Sequence, residues 1–477
     1  MCGRPGRTLD PRRMVCRYPA RYKTGRHRSQ HPPFPPAASP ARAPDVQPTS
    51  RIDIDLDAIE HNVRTIRALT GASVAAPVDA ANTGGAPDPA LARQGMLCAI
   101  IKADAYGLGA PPIARRLEAA GVELLGVYTP EQARDLLAAG VTRTAILLLM
   151  PSYAADLDGL LLAPARAGRL HASLHSPGQL ESLARRAAQL GVRLPVHVEV
   201  DTGMRRGGSR PDDAATLVEM VASSSSLRLA GVYSHFASAD RDDATTRAQA
   251  AMFEAWIDGV RAHIPQDCVA HQSNTFGVFR ARALHRDMVR VGLALYGYAL
   301  EEAHDAQNFE HREHAASLRP AVHWETRLIH ATRVEPGERV GYGGTWSAQR
   351  PSRIGLAPVG YADGYPLAIS NRAMVGLRDA SGTTRYAPLV GAVSMDQITI
   401  DLTDLPETCA HVGASVELVG VDREAPTHLP SLARAAGTST HELLCRMSPR
   451  LPRRYFATDL ARAEIEPRDQ RLSTSVR

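Results

Sequence analysis

Between Arg51 and about Arg290 the chain alternates short, continuous apolar runs with stretches of helical periodicity. The run 97–101, Leu-Cys-Ala-Ile-Ile, carries no polar side chain at all and reads as a strand buried on both faces. Comparable runs end near Lys102, Val127, Leu149, His175, Asp201, His235, His271 and Arg290. Between them the spacing predicts amphipathic helices over 130–139, 178–190, 212–223 and 245–263. About eight strands interleaved with helices predict an α/β fold of the closed (β/α)8 type rather than an open sheet. Beyond residue 315 the texture changes. Runs at 322–329, 354–359, 387–393, 398–402 and 415–419 are short, rich in β-formers and separated by turn residues, which predicts a C-terminal, mainly β domain. The expected organisation is a barrel over 51–315 with a loop insert at 72–95, a β domain over 316–460 and a frayed tail over 461–477.

Composition changes this picture at one end only. A chain of 477 residues is too long for a single ordinary core. Its net charge of +5 is unevenly placed. Residues 1–50 hold ten Lys and Arg against Asp10 and Asp45, and ten of the 34 prolines, so this arm reads as disordered and the remainder is slightly acidic. Nucleic-acid binding by the body is therefore not expected. The arm lacks the apolar core of a signal peptide, and its prolines break the amphipathic helix that a transit peptide needs. Cys2, Cys16, Cys98, Cys268, Cys409 and Cys445 form no C-x-x-C pair, which fits reduced thiols in a cytoplasmic protein and neither a disulfide frame nor a metal centre. No apolar run approaches the ~18 residues of a membrane span.

Candidate chemistry begins at Lys102, where the apolar run 97–101 ends and a Gly-x-Gly turn soon follows. An ammonium at the end of a buried strand is costly unless it is paired or used, and a lysine so placed can lose its proton and condense with an aldehyde. The other candidates also lie at the ends of predicted strands, the barrel face that carries active sites. Loops after the seventh and eighth strands of such barrels commonly hold phosphate, and Asn274-Thr275 and Gly292-Leu293 occupy those two places.

The stretch Lys102-Ala-Asp-Ala-Tyr-Gly-x-Gly109 resembles the cofactor-lysine signature of the alanine racemases, and the resemblance extends over roughly 51–456. It implies pyridoxal 5'-phosphate on Lys102 and Tyr106 at the phosphate. It implies Arg290, in Arg-Val-Gly-Leu-Ala-Leu-Tyr-Gly, against the pyridine nitrogen. Arginine accepts no proton, so the ring would stay neutral, which favours return of a proton to Cα over transamination or decarboxylation. Arg206, in Val-Asp-Thr-Gly-Met-Arg-Arg-Gly, would reach the substrate carboxylate, with the planar fork suited to it. His235 would contact the catalytic tyrosine, Tyr361 of Tyr-Ala-Asp-Gly-Tyr, which reaches the cofactor of a partner subunit. Met395, in Gly-Ala-Val-Ser-Met-Asp-Gln, would offer its main chain to the substrate across the same interface. The implied reaction is conversion of L-alanine to D-alanine for peptidoglycan by two bases, Lys102 and Tyr361 of the partner subunit, within a homodimer. Free lysines and tyrosines titrate near ~10.4 and ~10, so both need activation.

Two positions depart from the family pattern. Glu199 stands where these enzymes often carry a carbamylated lysine, and its carboxylate is expected to orient Arg206. His441, in Thr-His-Glu-Leu-Leu-Cys, replaces a tyrosine that lines the substrate entrance and touches the phosphate, which opens the alternative of a racemase for serine or a broader set of small amino acids. A non-racemising pyridoxal phosphate protein on the same barrel, such as a decarboxylase, an aldolase or a cofactor carrier, is the further alternative.

Overall fold

The computed structural model describes residues 49–71, 95–379 and 381–457. The basic arm, nearly all of the 72–95 insert and the tail lie outside the described residues. A first strand, β1 (Arg51–Asp55), leads into a helix over Leu56–Thr70, whose N-terminus is capped by the Asp55 carboxylate accepting from Asp57 N and Ala58 N. The barrel follows as β2 (Met96–Ile100), β3 (Leu124–Val127), β4 (Ala145–Pro151), β5 (Leu170–Leu174), β6 (Leu194–Glu199), β7 (Leu227–Tyr233), β8 (Val269–His271) and β9 (Met288–Val291). All eight strands are parallel and in sequence order, and β9 closes on β2. Their ends fall within about three residues of those predicted, because strands covered on both faces are apolar along most of their length and turn predominantly polar where they emerge.

Several of the intervening helices start where the sequence supplies an acceptor for free backbone N–H groups. Thr129 caps Pro130–Ala138 and Ser176 caps Pro177–Leu190, each with a proline in the first turn. Gly191 closes the second of these helices at φ +64°, a left-handed conformation that favours glycine.

The β domain contributes β10 (Val322–Arg327), β11 (His330–Val334), β12 (Arg339–Val340), β13 (Trp346–Ser347), β14 (Ser352–Ala357), β15 (Met374–Arg378), β16 (Thr384–Pro388), β17 (Ile398–Asp401), β18 (Ser415–Val419) and β19 (Arg453–Phe456). The largest sheet has the order β16-β15-β18-β10-β1-β19. This corrects the boundary expected from the sequence: β1 belongs to the C-terminal sheet, antiparallel to β10 and parallel to β19, not to the barrel. The physical reason is complementarity that only long-range pairing reveals. Arg454 grips the Asp53 carboxylate with Nε and Nη2 at 2.9 and 2.7 Å, and the indole N–H of Trp324 donates to Ser50 Oγ at 3.1 Å.

Candidate active site

The segment after β2 departs from ordinary backbone. Ala103, Asp104, Ala105 and Tyr106 all have φ between +53° and +62°, one turn of left-handed helix directly after Lys102. Such geometry costs about 1–2 kcal/mol per non-glycine residue. The turn is held from several sides. Ala110 N donates to Asp104 Oδ1 at 2.6 Å, Arg453 donates to the Gly107 carbonyl at 2.8 Å, and the Tyr455 hydroxyl donates to the Leu108 carbonyl at 2.7 Å. Its result is to bury Ala105 and Tyr106 while Lys102 stays partly open at the barrel mouth.

Burial, followed by the charge of Arg206, holds the Lys102 ammonium below its ordinary pKa, against Cys445 and with a smaller contribution from Arg290. Tyr106 lies in contact distance of the Tyr296 ring (centroids 5.2 Å apart) and of His441 (5.8 Å). Its hydroxyl stands against the backbone of Gly292, where an added Cβ would come within 2.0 Å of it. Thr275 Oγ1 accepts from Gly292 N and Ala294 N at 3.3 and 3.4 Å, tying the two loops beyond β8 and β9 together. Asn274 instead caps its own short helix, accepting from Phe276 N and Gly277 N. Tyr106, Thr275, Gly292 and Leu293 thus converge on one side of the mouth, on a hydroxyl, a glycine that must stay bare, and backbone.

Arg290, next to last in β9, is 4% exposed and, among the described residues, has no carboxylate within ion-pair distance. It is held by acceptors alone. Nη1 donates to His271 Nδ1 at 2.9 Å and to the His271 carbonyl at 3.1 Å. Nη2 donates to the Ser234 carbonyl at 2.8 Å and to His235 Nδ1 at 3.0 Å, with the Gln272 carbonyl at 3.4 Å. The guanidinium also lies 5.1 Å from the centre of the Tyr233 ring, which stacks on His271 (4.8 Å, 6°). All four terminal N–H groups are therefore engaged, and Nε–H is the donor that remains. Burial and then the charge of Arg290 hold His235 neutral, far below its ordinary pKa.

Arg206 is exposed and lines a narrow cleft with Glu199, Asp201, Met204, Ser234 and His235. Among the described residues Glu199 makes no direct ion pair with Arg206, and it reaches the Arg206 loop only through His175. Glu199 Oε2 accepts from the Tyr233 hydroxyl at 3.0 Å and lies 2.9 Å from His175 Nε2, within ion-pair range though not aligned as a hydrogen bond. Burial alone would raise this carboxyl, but His175 and Tyr233 outweigh it and keep its pKa below the ordinary value. His175, which sequence reasoning used only as a strand end, also accepts from Gly208 N at 3.2 Å through Nδ1. It therefore fastens the loop that bears Arg206. Burial and then Lys102 hold the His441 ring neutral, its pKa pushed down to about 4.

Tyr361 and Met395 lie on loops of the β domain and are 46% and 55% exposed. The loops are laced together: Tyr361 N donates to the Ser394 carbonyl and Ala362 N to the Met395 carbonyl, both at 3.0 Å. Arg450 bridges them from the side, to Asp363 and Asp396 at 2.7 Å each. The Tyr361 hydroxyl has no hydrogen-bond partner among the described residues.

Two family models match the chain, the alanine racemase N-terminal domain over 88–300 and the alanine racemase C-terminal domain over 321–455. The chain belongs to the alanine racemase family. An alanine racemase of Halothermothrix orenii is 35% identical over 409 residues, 84% of this chain and 96% of that protein. The fold superimposes on the alanine racemase of Streptomyces lavendulae with a TM-score of 0.72 at 29% identity, covering 86% of this chain and 98% of the other. It also matches the alanine racemase of Bartonella henselae, solved with covalently bound pyridoxal phosphate, with a TM-score of 0.68 at 27% identity over 86% of this chain and all of that one. Among the described residues, no helix is long and apolar enough to cross a membrane.

Proposed function

We propose that this chain interconverts L- and D-alanine with pyridoxal 5'-phosphate carried on Lys102, as a homodimer in the cytoplasm that supplies D-alanine for peptidoglycan. The observation that carries this reading is Arg290. It is buried, fixed by five acceptors, and leaves only Nε–H for a ring nitrogen, and among the described residues no carboxylate pairs with it. The bound cofactor supplies an electron sink for the pair released when the Cα–H bond breaks. The residues present fit it. Lys102 has its ammonium destabilised, by burial first and then by Arg206, which favours the neutral amine that an aldehyde condenses with. Tyr106, Thr275, Gly292 and Leu293 form a phosphate cradle of the kind that barrels place there. Arg206 presents its fork to the substrate carboxylate from the cleft beside Glu199.

In this reading Lys102 exchanges a proton with Cα on the D side and Tyr361 of the partner subunit exchanges one on the L side. His235, with its Nδ1 taken by Arg290, has its Nε2–H left to face that tyrosine. The exposure of Tyr361 and Met395 in the single chain supports their completing the partner's site. One feature favours a second substrate. His441 beside Tyr106 is smaller than tyrosine and neutral, which widens the entrance enough to admit serine.

The test is D-alanine formation from L-alanine by the purified holoenzyme, read by chiral chromatography, with L-serine in parallel. Lys102→Ala is expected to lower turnover by at least about a thousandfold, the scale of a lost catalytic base. Replacing His441 by tyrosine is expected to raise the alanine-to-serine ratio several-fold. A protein that binds the cofactor at Lys102 yet racemises neither amino acid would defeat the proposal.

A further inference from the structure

Three histidines run in file through the interior of the barrel. His171 is the second residue of β5, near the end of the barrel away from the active site. His197 is in the middle of β6, and His271 is the last residue of β8 at the mouth. His171 Nδ1 lies 2.8 Å from His197 Nε2, and His197 Nδ1 lies 2.9 Å from His271 Nε2. His271 Nδ1 in turn meets Arg290 at 2.9 Å. His197 and His271 are fully buried, and around them the strands are apolar.

The protons on this file follow from one fact: a guanidinium only donates. His271 Nδ1 is therefore bare, and its N–H is on Nε2, pointing to His197. His197 Nδ1 is then bare as well, and its Nε2–H donates to His171 Nδ1. The N–H of His171 falls on Nε2, and the hydrogen bond that this ring makes with the Gly168 backbone gives that proton a carbonyl to meet. Every ring is thereby assigned one tautomer, and none has room for a second proton without setting donor against donor. Burial opposes protonation too. It is the main cause that brings the pKa of His171 down to about 4, helped by Arg228 at the barrel floor, and it likewise holds those of His197 and His271 well below the ordinary value, with Arg290 acting in the same direction on both.

The neighbouring strand is shaped for this file. Gly231 on β7 pairs with His197, and an added Cβ there would stand 2.1 Å from His197 Nδ1. Tyr233, two residues on, stacks on His271 and fixes the plane of its ring.

We propose that His171 and His197, both remote from the reacting atoms, are positioning residues that hold Arg290 in place by locking His271 in its Nε2–H tautomer. The inference rests on the reading of Arg290 given above and extends it to the floor of the barrel. The file conducts no proton to the active site. A proton entering at His171 would have to reverse every ring and would end as an Nδ1–H facing a guanidinium. The file is an insulated row of acceptors that gives a buried cation a partner without a negative charge. A carboxylate in the same place would bring a titratable proton close to the ring nitrogen, which a neutral imidazole held in this tautomer does not.

The first test uses the unaltered holoenzyme. Nitrogen-15 spectra of its histidines should show His171, His197 and His271 as neutral Nε2–H tautomers at neutral pH. An Nδ1–H tautomer or an imidazolium at His271 would overturn the proposal, whatever the enzyme does to alanine, so failure here is distinct from failure of the racemase reading. The second test compares His197→Phe, which removes both polar atoms, with His197→Gln, whose amide can accept from His271 and donate to His171. In the phenylalanine variant kcat should fall roughly tenfold, the scale of one lost buried hydrogen bond, with KM nearly unchanged. Abortive transamination per turnover, read as loss of the cofactor's visible absorbance, should rise by a similar factor. The glutamine variant should recover both. Equal behaviour of the two folded variants would overturn the proposal, and if neither folds, the tautomer spectrum of the unaltered enzyme still decides.

Discussion

The two halves of the candidate site are built to different standards of completeness. At the barrel mouth every terminal N–H of Arg290 has an acceptor, Tyr106 is packed against Gly292, and Lys102 is half sheltered. On the β domain, Tyr361 and Met395 are held just as firmly through their backbones but present open side chains. The first half can bind and polarise within one chain. The second is rigid scaffolding for side chains left open, which on the proposed reading serve a partner subunit. A site divided in this way separates what must be buried, the cation and the amine, from what must arrive from outside.

The largest effect that would break this contrast comes from pairing damaged chains. Tyr361→Phe should lower kcat by roughly a hundredfold or more while leaving thermal stability unchanged, since the side chain is exposed. Mixed with Lys102→Ala and allowed to exchange subunits, it should regain about a quarter of normal activity, because half of the dimers then carry one intact site. Measured recovery of nothing would mean that Tyr361 serves its own chain.

Glu199→Gln sharpens the barrel side. Loss of the charge beside His175 should loosen the loop that carries Arg206 and raise KM for alanine by roughly tenfold with a smaller change in kcat. The acid limb of stability should change as well. The pKa of Glu199 is lowered in the fold, so its ionised form contributes stability above the ordinary carboxylate value, and that contribution is lost as pH falls through the folded-state pKa. Thermal melts of the glutamine variant should therefore be lower than those of the unaltered protein at neutral pH and converge with them below about pH 4.

The smallest effect belongs to Arg450→Ala. Its guanidinium is half exposed, so the two ion pairs add little to global stability. Yet they brace the loops of Tyr361 and Met395, so kcat should drop a few-fold while the cofactor spectrum on Lys102 stays unchanged. A shift in that spectrum would show that the two halves are coupled within a chain.

Much of this was legible in the sequence. Eight strand ends could be read because an apolar run in a parallel barrel must end where the chain meets solvent, and the residues found there include Lys102, His235 and Arg290. What was hidden was mostly relational. Glu199 looked like a partner for Arg206, its neighbour along the chain, whereas its partners His175 and Tyr233 come from adjacent strands. The left-handed turn had only a faint signal, the absence of β-branched residues in Ala103-Asp104-Ala105. His171 and His197 were visible as polar letters in apolar runs, but nothing in their spacing says that they touch. The pairing of β1 with β10 and β19 spans most of the chain, and no local pattern reports it.

That pairing sets an order on the protein's making. β1 leaves the ribosome before any strand of the barrel, and its two partners leave after all of them, β19 last. During synthesis both edges of β1 stand unsatisfied while eight parallel strands close beside it. The nascent chain carries an open apolar strand, Ile52 and Ile54 foremost, until β19 arrives. A chain cut just before Arg453 should leave that edge bare and depend on a chaperone to stay out of aggregates.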